Sequence, residues 1–278
     1  MTSLVNEKKQ LPSIKEYEVV AQGNDLIRHV RFQLTALEQN IIYFCISKIK
    51  PEDTDLLDQT FTIDEFCKVC GISTDTKGPG GNVYRRIKAA MKSVRDKSAW
   101  VEFNDGTEVL VSWFDTIVIK KGSGEITVSM SKSVKPYLVG LIERARAGGE
   151  GYTQAHLVTF ISLQSKYGKR LYEILKSYLH VADTQEKIYK QQVVEYSVGE
   201  FKQLLNAENY LRHQDFRRKV VEVAVREVNT VTDVYVTYHF IKSNRKISYI
   251  QFVFQHKKPT DRLEAQKNAL GRLGRGKA

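Results

Sequence analysis

The sequence predicts an α+β chain made of two copies of one unit, each of three helices followed by a β-hairpin, and three observations predict it. First, Phe61-Thr62-Ile63-Asp64-Glu65-Phe66 recurs position for position as Tyr196-Ser197-Val198-Gly199-Glu200-Phe201: aromatic, hydroxyl, β-branched, any residue, Glu, Phe. Second, an aromatic followed by two arginines opens the next helix in both halves, as Tyr84-Arg85-Arg86 and as Phe216-Arg217-Arg218. Third, each of these helices is followed by apolar-alternating stretches around a turn. The matched landmarks are offset by 135 and 132 residues, so order and spacing agree as they do in an internal duplication. A chain of 278 residues, 42% hydrophobic and 27% charged, is long enough for two domains of modest size, each with a core of its own.

The elements follow from local chemistry. The first ~30 residues are polar and mixed, an arm with a short strand around Glu18 to Gln22. Thr35 and Glu38 form a capping box ahead of Ile41, Ile42, Phe44, Cys45, Ile46 and Ile49, which recur at helical spacing until Pro51. The strand at Phe61 turns into a helix capped by Thr62, with Glu65 three residues on, and Gly71 stops it. After the flexible segment KGPGGN comes a third helix, from about Tyr84 to Lys97. It carries Tyr84, Ile87, Met91 and Val94 along one side and leaves Arg85, Arg86, Ala89 and Ser93 outward. Residues 99–104 and 109–119 then read as β stretches around Asp105-Gly106, and Gly122-Ser123-Gly124 returns the chain through Ile126, Val128 and Met130.

The glycines and charges of RARAGGEG (144–151) break this pattern and mark a domain boundary. Beyond it, Ser165 to His180 is an amphipathic helix, the capping pattern recurs at Ser197 and Glu200, and a long helix opens at Phe216. Its core stripe of Phe216, Val220, Val223 and Ala224 is widened by Val221, Val225 and Val228. Arg217 falls at the edge of that stripe, while Arg218, Glu222 and Arg226 point outward; the alternative for Arg217 and Arg226 is a rim side chain that lays its stem on the core. Strands at 231–241 and 247–255 surround the turn from Lys242 to Lys246. The expected division is an arm over 1–30, one unit over 31–143, a second over 152–256, and a basic flexible tail over 257–278.

The formal net charge is +11. The last 22 residues contribute +5 of it, from seven Lys or Arg against two acidic residues, so the body is basic as well. That surplus favours a polyanionic partner, nucleic acid first, because each neutralised phosphate releases counterions. Three helices followed by a β-hairpin is the layout of a winged helix, a helix-turn-helix variant whose third helix enters the major groove of duplex DNA. The charge falls where such a unit needs it. The first unit offers Arg85, Arg86, Lys88 and Lys92 on its third helix and Lys120 and Lys121 at its wing. In the second unit the third helix offers Arg217, Arg218, Lys219 and Arg226, preceded by Arg212, His213 and Gln214, and the wing carries Lys242, Asn244, Arg245 and Lys246. Arginine can fork two donors onto guanine, so these positions can read sequence as well as hold phosphate.

At this point the chain resembles a known family, the plasmid-encoded initiator replication (Rep) proteins that bind iterons. The residues that carry the likeness are SLQSKYGKRLYEILKSY (162–178), YSVGEFKQLL (196–205) and FRRKVVEVAVREVNTVTDVYVTYHFIKSNRKISYIQFVF (216–254), with LTALEQNIIYFCISKI and FTIDEF in the first half. The likeness spans roughly residues 25–256. It implies two winged-helix domains in tandem, related by pseudo-twofold symmetry, with the first serving dimerisation and DNA backbone contact and the second recognising the iteron. It further implies a monomer that binds direct repeats in a plasmid origin, helps open nearby DNA and recruits the host initiator and replicative helicase, in equilibrium with a homodimer that represses its own gene at an operator. The SKYGKRLYE segment brings in Lys166, Lys169 and Arg170 as phosphate candidates. The chain departs from the family at Gly168 and in the extended basic tail.

Other chemistry is not indicated. Cys67 and Cys70 have CxxC spacing but no second pair, and a zinc ribbon requires four ligands. The glycine-rich KGPGGN and GRLGRG lack phosphate-loop spacing, and the six histidines are scattered, so no cofactor, metal site or enzymatic activity is expected. Three cysteines and no apolar run near the ~20 residues of a membrane span point to a reducing, cytoplasmic setting without membrane contact. Two other functions remain open: a tandem winged-helix transcriptional repressor and a metal-dependent nicking replication enzyme.

Overall fold

The computed structural model describes residues 18–73, 83–102, 106–120, 123–149, 151–179 and 189–275. Each half begins with a strand that runs straight into a short helix: β1 (Val19–Gly23) into α1 (Asn24–His29), and β7 (Tyr152–His156) into α6 (Leu157–Ser162). A longer helix follows in each, α2 (Ala36–Ile46) and α7 (Lys166–Tyr178). The repeated hexapeptides then form strand-to-helix corners. β2 (Gln59–Thr62) enters α3 (Ile63–Cys70), and β8 (Gln192–Ser197) enters α8 (Val198–Leu204). The hydroxyl caps are as expected. The side chains of Thr35, Thr62 and Ser197 accept the amides of Glu38, Glu65 and Glu200, and the reciprocal carboxylate bond is present at Thr35 and Ser197. Gly71 ends α3 at φ 63°, a left-handed conformation that favours glycine.

The third helices differ in build. In the first half α4 (Val83–Arg95) buries Ile87, Met91 and Val94, but Tyr84, in its first turn, is exposed and not part of the core stripe. In the second half α9 runs through His213–Phe216, a π turn over Arg217–Val221, and Glu222–Val231. The π turn carries one extra residue. It brings Phe216, Val220, Val221, Ala224, Val228 and Val231 all into the core, which explains the widened apolar stripe in the sequence.

The sheets confirm the duplication. β5 (Phe114–Ile119) and β6 (Glu125–Met130) pair antiparallel and β6 also pairs with β2, giving the order β2-β6-β5. β9 (Val234–Ser243) and β10 (Lys246–His256) pair likewise, and the order is β8-β10-β9. The stretch expected over 109–119 is not continuous. It breaks at Trp113, whose carbonyl accepts the Ser131 amide at 2.9 Å and whose ring packs on Phe32 at 5.1 Å. Its first part, β4 (Glu108–Ser112), pairs with β3 (Ser98–Glu102) as a separate hairpin.

β1 and β7 pair with each other, antiparallel, and Ala21 sits opposite Gln154. Those two residues are also equivalent in the repeat, because β1 and β7 occupy the same place in the two halves. A strand paired with its own counterpart through a shared central residue is the signature of a local twofold axis. The two units are therefore pseudo-twofold related, and this pair of strands crosses the 144–151 segment. The core is continuous through it: Tyr43 of α2 stacks on Phe160 of α6 at 4.5 Å, and Phe160 meets Tyr172 of α7 at 5.3 Å.

Residues expected to form a flexible tail form a helix, α10 (Pro259–Arg275). Ala265, Ala269 and Leu273 are buried at four-residue intervals, so one stripe of this helix is core. It lies against α9 and α6 and is tied down by Asn268, which donates to the Thr230 carbonyl, and by Arg272, which donates to the Ser162 carbonyl. The glycines of GRLGRG that are described, Gly271 and Gly274, lie within it. No helix among the described residues is long and apolar enough to cross a membrane. The KGPGGN segment lies outside the described residues.

Candidate nucleic-acid interface

Among the described residues, the second unit exposes a run of cations on its third helix and wing. Phe216 is fully buried and anchors the start of α9, which leaves Arg217, Arg218 and Lys219 exposed on the turn that follows. Asp215 serves two of these cations, Lys219 at 3.1 Å and Arg218 at 3.8 Å, and its carboxyl is held below the usual range by Lys219. Arg217 binds Glu222 at 2.9 Å, and Glu222 also accepts from the Tyr238 hydroxyl of β9 at 3.4 Å. Arg218 is the least engaged of the three. Its side chain is 74% exposed, which suits a group that must exchange a weak surface contact for a base or phosphate. Arg212, Gln214 and Arg226 are exposed as well.

His213 is not open in the same way. Its ring meets Phe240 of the wing edge-on at 4.4 Å, and partial burial together with Arg217 and Lys202 pushes its pKa down. It fastens helix to wing. The wing tip itself is a two-residue turn closed by the Ser243 and Lys246 pair. Its central residues, Asn244 and Arg245, have φ of 48° and 69°, the primed-turn geometry that glycine normally supplies at the second position. All of Lys242, Asn244, Arg245 and Lys246 are exposed, and no acid lies among them.

The first unit presents a thinner version. Arg85, Arg86, Lys88 and Lys92 are exposed on α4, with Lys92 paired to Asp96. At its wing Lys120 is paired with Glu125, and Lys121 lies outside the described residues.

The three α7 candidates turn inward. Arg170 donates to the carbonyls of Ile27 at 2.6 Å and Val30 at 2.9 Å. Ile27 lies in the last turn of α1 and Val30 caps that helix, and Arg170 satisfies both carbonyls. Lys169 is fully buried; it donates to the Phe160 carbonyl and lies over the Tyr43 ring at 5.9 Å. Burial pushes its amine down to about 7. Lys166 donates to the Asn206 carbonyl at 3.0 Å, and partial burial lowers its pKa. As placed, Lys169 and Arg170 cannot meet a phosphate, because α7 packs on both sides. Arg170 and Lys169 thus reach the first half, through Ile27, Val30 and the Tyr43 ring, while Lys166 ties α7 to the segment after α8.

Gly168 has a reason of its own. A β-carbon there would lie 2.3 Å from Glu227 Oε2 and 3.2 Å from Glu227 Cβ. The Glu227 carboxylate accepts the Ser165 amide at 3.1 Å and the Ser165 hydroxyl at 2.8 Å, so glycine permits α9 to bind the N-terminus of α7. The cysteines are core. Burial pushes the Cys45 thiol up to about 12 and Cys67 up to about 11, and raises Cys70 further, the reverse of the thiolate that metal or redox chemistry requires.

Two family models match the chain, one described as Initiator Replication protein, WH1, over residues 19–176, and one as Initiator Rep protein, WH2, over residues 197–254. The chain belongs to the initiator replication protein family. Its members are DNA-binding initiators built from winged-helix domains, and the family is not one of enzymes. Among solved structures, the initiator is similar to the Pi initiator protein in complex with iteron DNA, with a TM-score of 0.65 at 18% identity, covering 87% of this chain and 99% of that one. The WH1 domain of MSBI1.176, a replication protein isolated from a multiple sclerosis patient, matches with a TM-score of 0.27 at 16% identity, covering 41% of this chain and 83% of that one. The fold of two winged helices is thus common to this chain and the Pi initiator. The WH1 match runs to residue 176, through α7, which fits the continuous core there.

Proposed function

We propose that this initiator acts on a plasmid, binding direct repeats, iterons, in duplex DNA of the origin. In this reading α9 lies in a major groove with its wing on the neighbouring backbone, and α4 makes the second, weaker contact. The observation that carries it is the joint exposure of Arg218, Arg226 and the wing tip Lys242, Arg245 and Lys246 on one winged-helix unit of a family of replication initiators. The complex of the Pi initiator with iteron DNA supports the choice of target. The recognising unit is assigned to residues 152–256, and backbone contact and dimerisation to residues 31–143. Exposed Trp100 and Leu110, directly opposite each other on the β3–β4 hairpin, support self-association through the first unit. Origin opening, recruitment of the host initiator and helicase, and repression of its own gene by the dimer complete the proposal, all in the bacterial cytoplasm.

The test is a nuclease footprint of the protein across the DNA around its own gene, at physiological salt with competitor DNA. Regular protection of direct repeats about two helical turns apart is the expected result. Protection confined to one inverted repeat at a promoter, with none at direct repeats, would favour a repressor, and no protection would refute both.

A further inference from the structure

Leu211 is 88% exposed, more than any other large apolar side chain among the described residues. A lone exposed leucine normally needs no explanation, and Leu57, 78% exposed, sits in a loop between Asp55 and Asp58 where nothing calls for one. Leu211 differs in how its backbone is held and in what surrounds it. On one side Tyr210 is fixed three ways: its carbonyl accepts the Lys202 amine at 2.6 Å, its amide donates to the Ala207 carbonyl at 3.1 Å, and its hydroxyl lies 3.4 Å from that of Tyr167. The Leu211 amide donates to the Asn209 carbonyl at 3.1 Å. On the other side Arg212 is the cap residue of α9, and its carbonyl accepts the amide of fully buried Phe216. The apolar side chain is therefore presented to solvent from a fixed backbone, immediately before the N-terminus of α9 and next to exposed Arg212 and Gln214.

We infer that Leu211 is a specificity-determining residue that packs on the C5-methyl group of a thymine in the bound repeat. The inference rests on the reading that α9 enters the major groove. The residues at the N-terminal end of such a helix are the ones that reach base edges. The floor of the major groove offers one apolar group, the thymine methyl, and an aliphatic side chain distinguishes it from the bare C5 of cytosine by contact alone. Cations that rest on phosphate supply affinity without sequence preference; a leucine among them supplies preference without charge.

The experiment uses the 278-residue protein and a pool of duplexes with a randomised central segment. Sites are selected in parallel with the wild type and with Leu211→Ala, a change at a side chain that supports no core. The wild type is expected to fix thymine at one position where L211A shows no preference. In the wild-type consensus duplex, replacing that thymine by deoxyuridine removes only the methyl. Affinity should then fall about four-fold, the equivalent of one buried carbon, while L211A binds both duplexes equally. Identical preferences for the two proteins, or the same loss with deoxyuridine in both, would overturn the inference. Arg218→Ala, run beside them, separates the two levels. If it weakens binding while Leu211 proves silent, α9 reads the groove without Leu211; if both are silent, the placement of α9 in the groove falls too.

Discussion

Replacing Gly168 with alanine sets two effects of known size against each other. In a helix interior alanine is favoured over glycine by about 1 kcal/mol. Against that, the new β-carbon would sit 2.3 Å from Glu227 Oε2 and 3.2 Å from the Ser165 hydroxyl oxygen. The Glu227 side chain can move only by giving up its bonds to the Ser165 amide and hydroxyl, and Glu227 is 7% exposed, so water does not replace them freely. Hydrogen bonds to a charged group are worth about 1.5–3 kcal/mol each. Losing one and part of a second, less the gain in propensity, leaves a net destabilisation of about 1–3 kcal/mol. Urea unfolding followed by circular dichroism measures it as a lower midpoint at unchanged slope. The variant Glu227→Ala should cost stability by itself, and adding Gly168→Ala to it should cost little more, because the obstruction is gone. A Gly168→Ala protein as stable as the wild type would show that the approach of α9 to α7 is not set by this carboxylate.

Four further outcomes follow from the same geometry. Arg218→Ala should weaken binding to the origin repeat by about 1–3 kcal/mol in a fluorescence titration, with the loss largest on the preferred sequence. Arg245→Gly should relieve the left-handed backbone at the wing tip and stabilise the fold by about 1 kcal/mol, while the slope of log affinity against log salt falls by about one. Lys169→Met should change the pH dependence of stability. Burial pushes the folded amine from its ordinary 10.5 down to about 7, so between these limits the unfolded chain holds the extra proton and stability rises with pH. The wild type should therefore be more stable at pH 9 than at pH 7, and the variant should lose that rise in urea midpoints at the two pH values. Removing residues 259–278 uncovers the surface beneath Ala265, Ala269 and Leu273 and should cost about 3 kcal/mol, seen as a lower melting temperature, where loss of charge alone would change only salt-dependent binding.

The elements that were legible in the sequence are those specified by neighbours in the chain. Thr35, Thr62 and Ser197 announce their helices because cap and helix lie within four residues, and the repeated hexapeptide marks the same corner twice. What escaped depends on partners far away. Nothing in Arg170 itself indicates that the C-terminal carbonyls of α1, some 140 residues earlier, will claim its guanidinium, so its charge reads as surface. The break at Trp113 leaves no glycine or proline as a mark; it comes from packing on Phe32 and a bond from Ser131. Helix α10 was obscured by its charges and by Gly271 and Gly274, although the four-residue spacing of Ala265, Ala269 and Leu273 was there to be read. The candidate recognition surface lies between these cases: the cations of α9 are legible, but the π turn that sorts Arg217, Arg218 and Val221 onto their faces shows only as a doubled valine.

The pairing of β1 with β7 makes this single chain the equivalent of a two-subunit complex whose halves have been joined. Partners so joined meet at an effective concentration that dilution cannot lower, so once one unit holds a site, engagement of the other does not depend on how much protein the cell contains. Joining also removes a constraint. Two identical subunits must carry identical reading helices and therefore match a palindrome, whereas α4 and α9 are free to differ and do: one is an unbroken helix, the other carries a π turn and the more basic wing. The preferred site then has a head and a tail. If the chain binds direct repeats as proposed, molecules along a row of such sites all face the same way, and their array has a direction along the DNA.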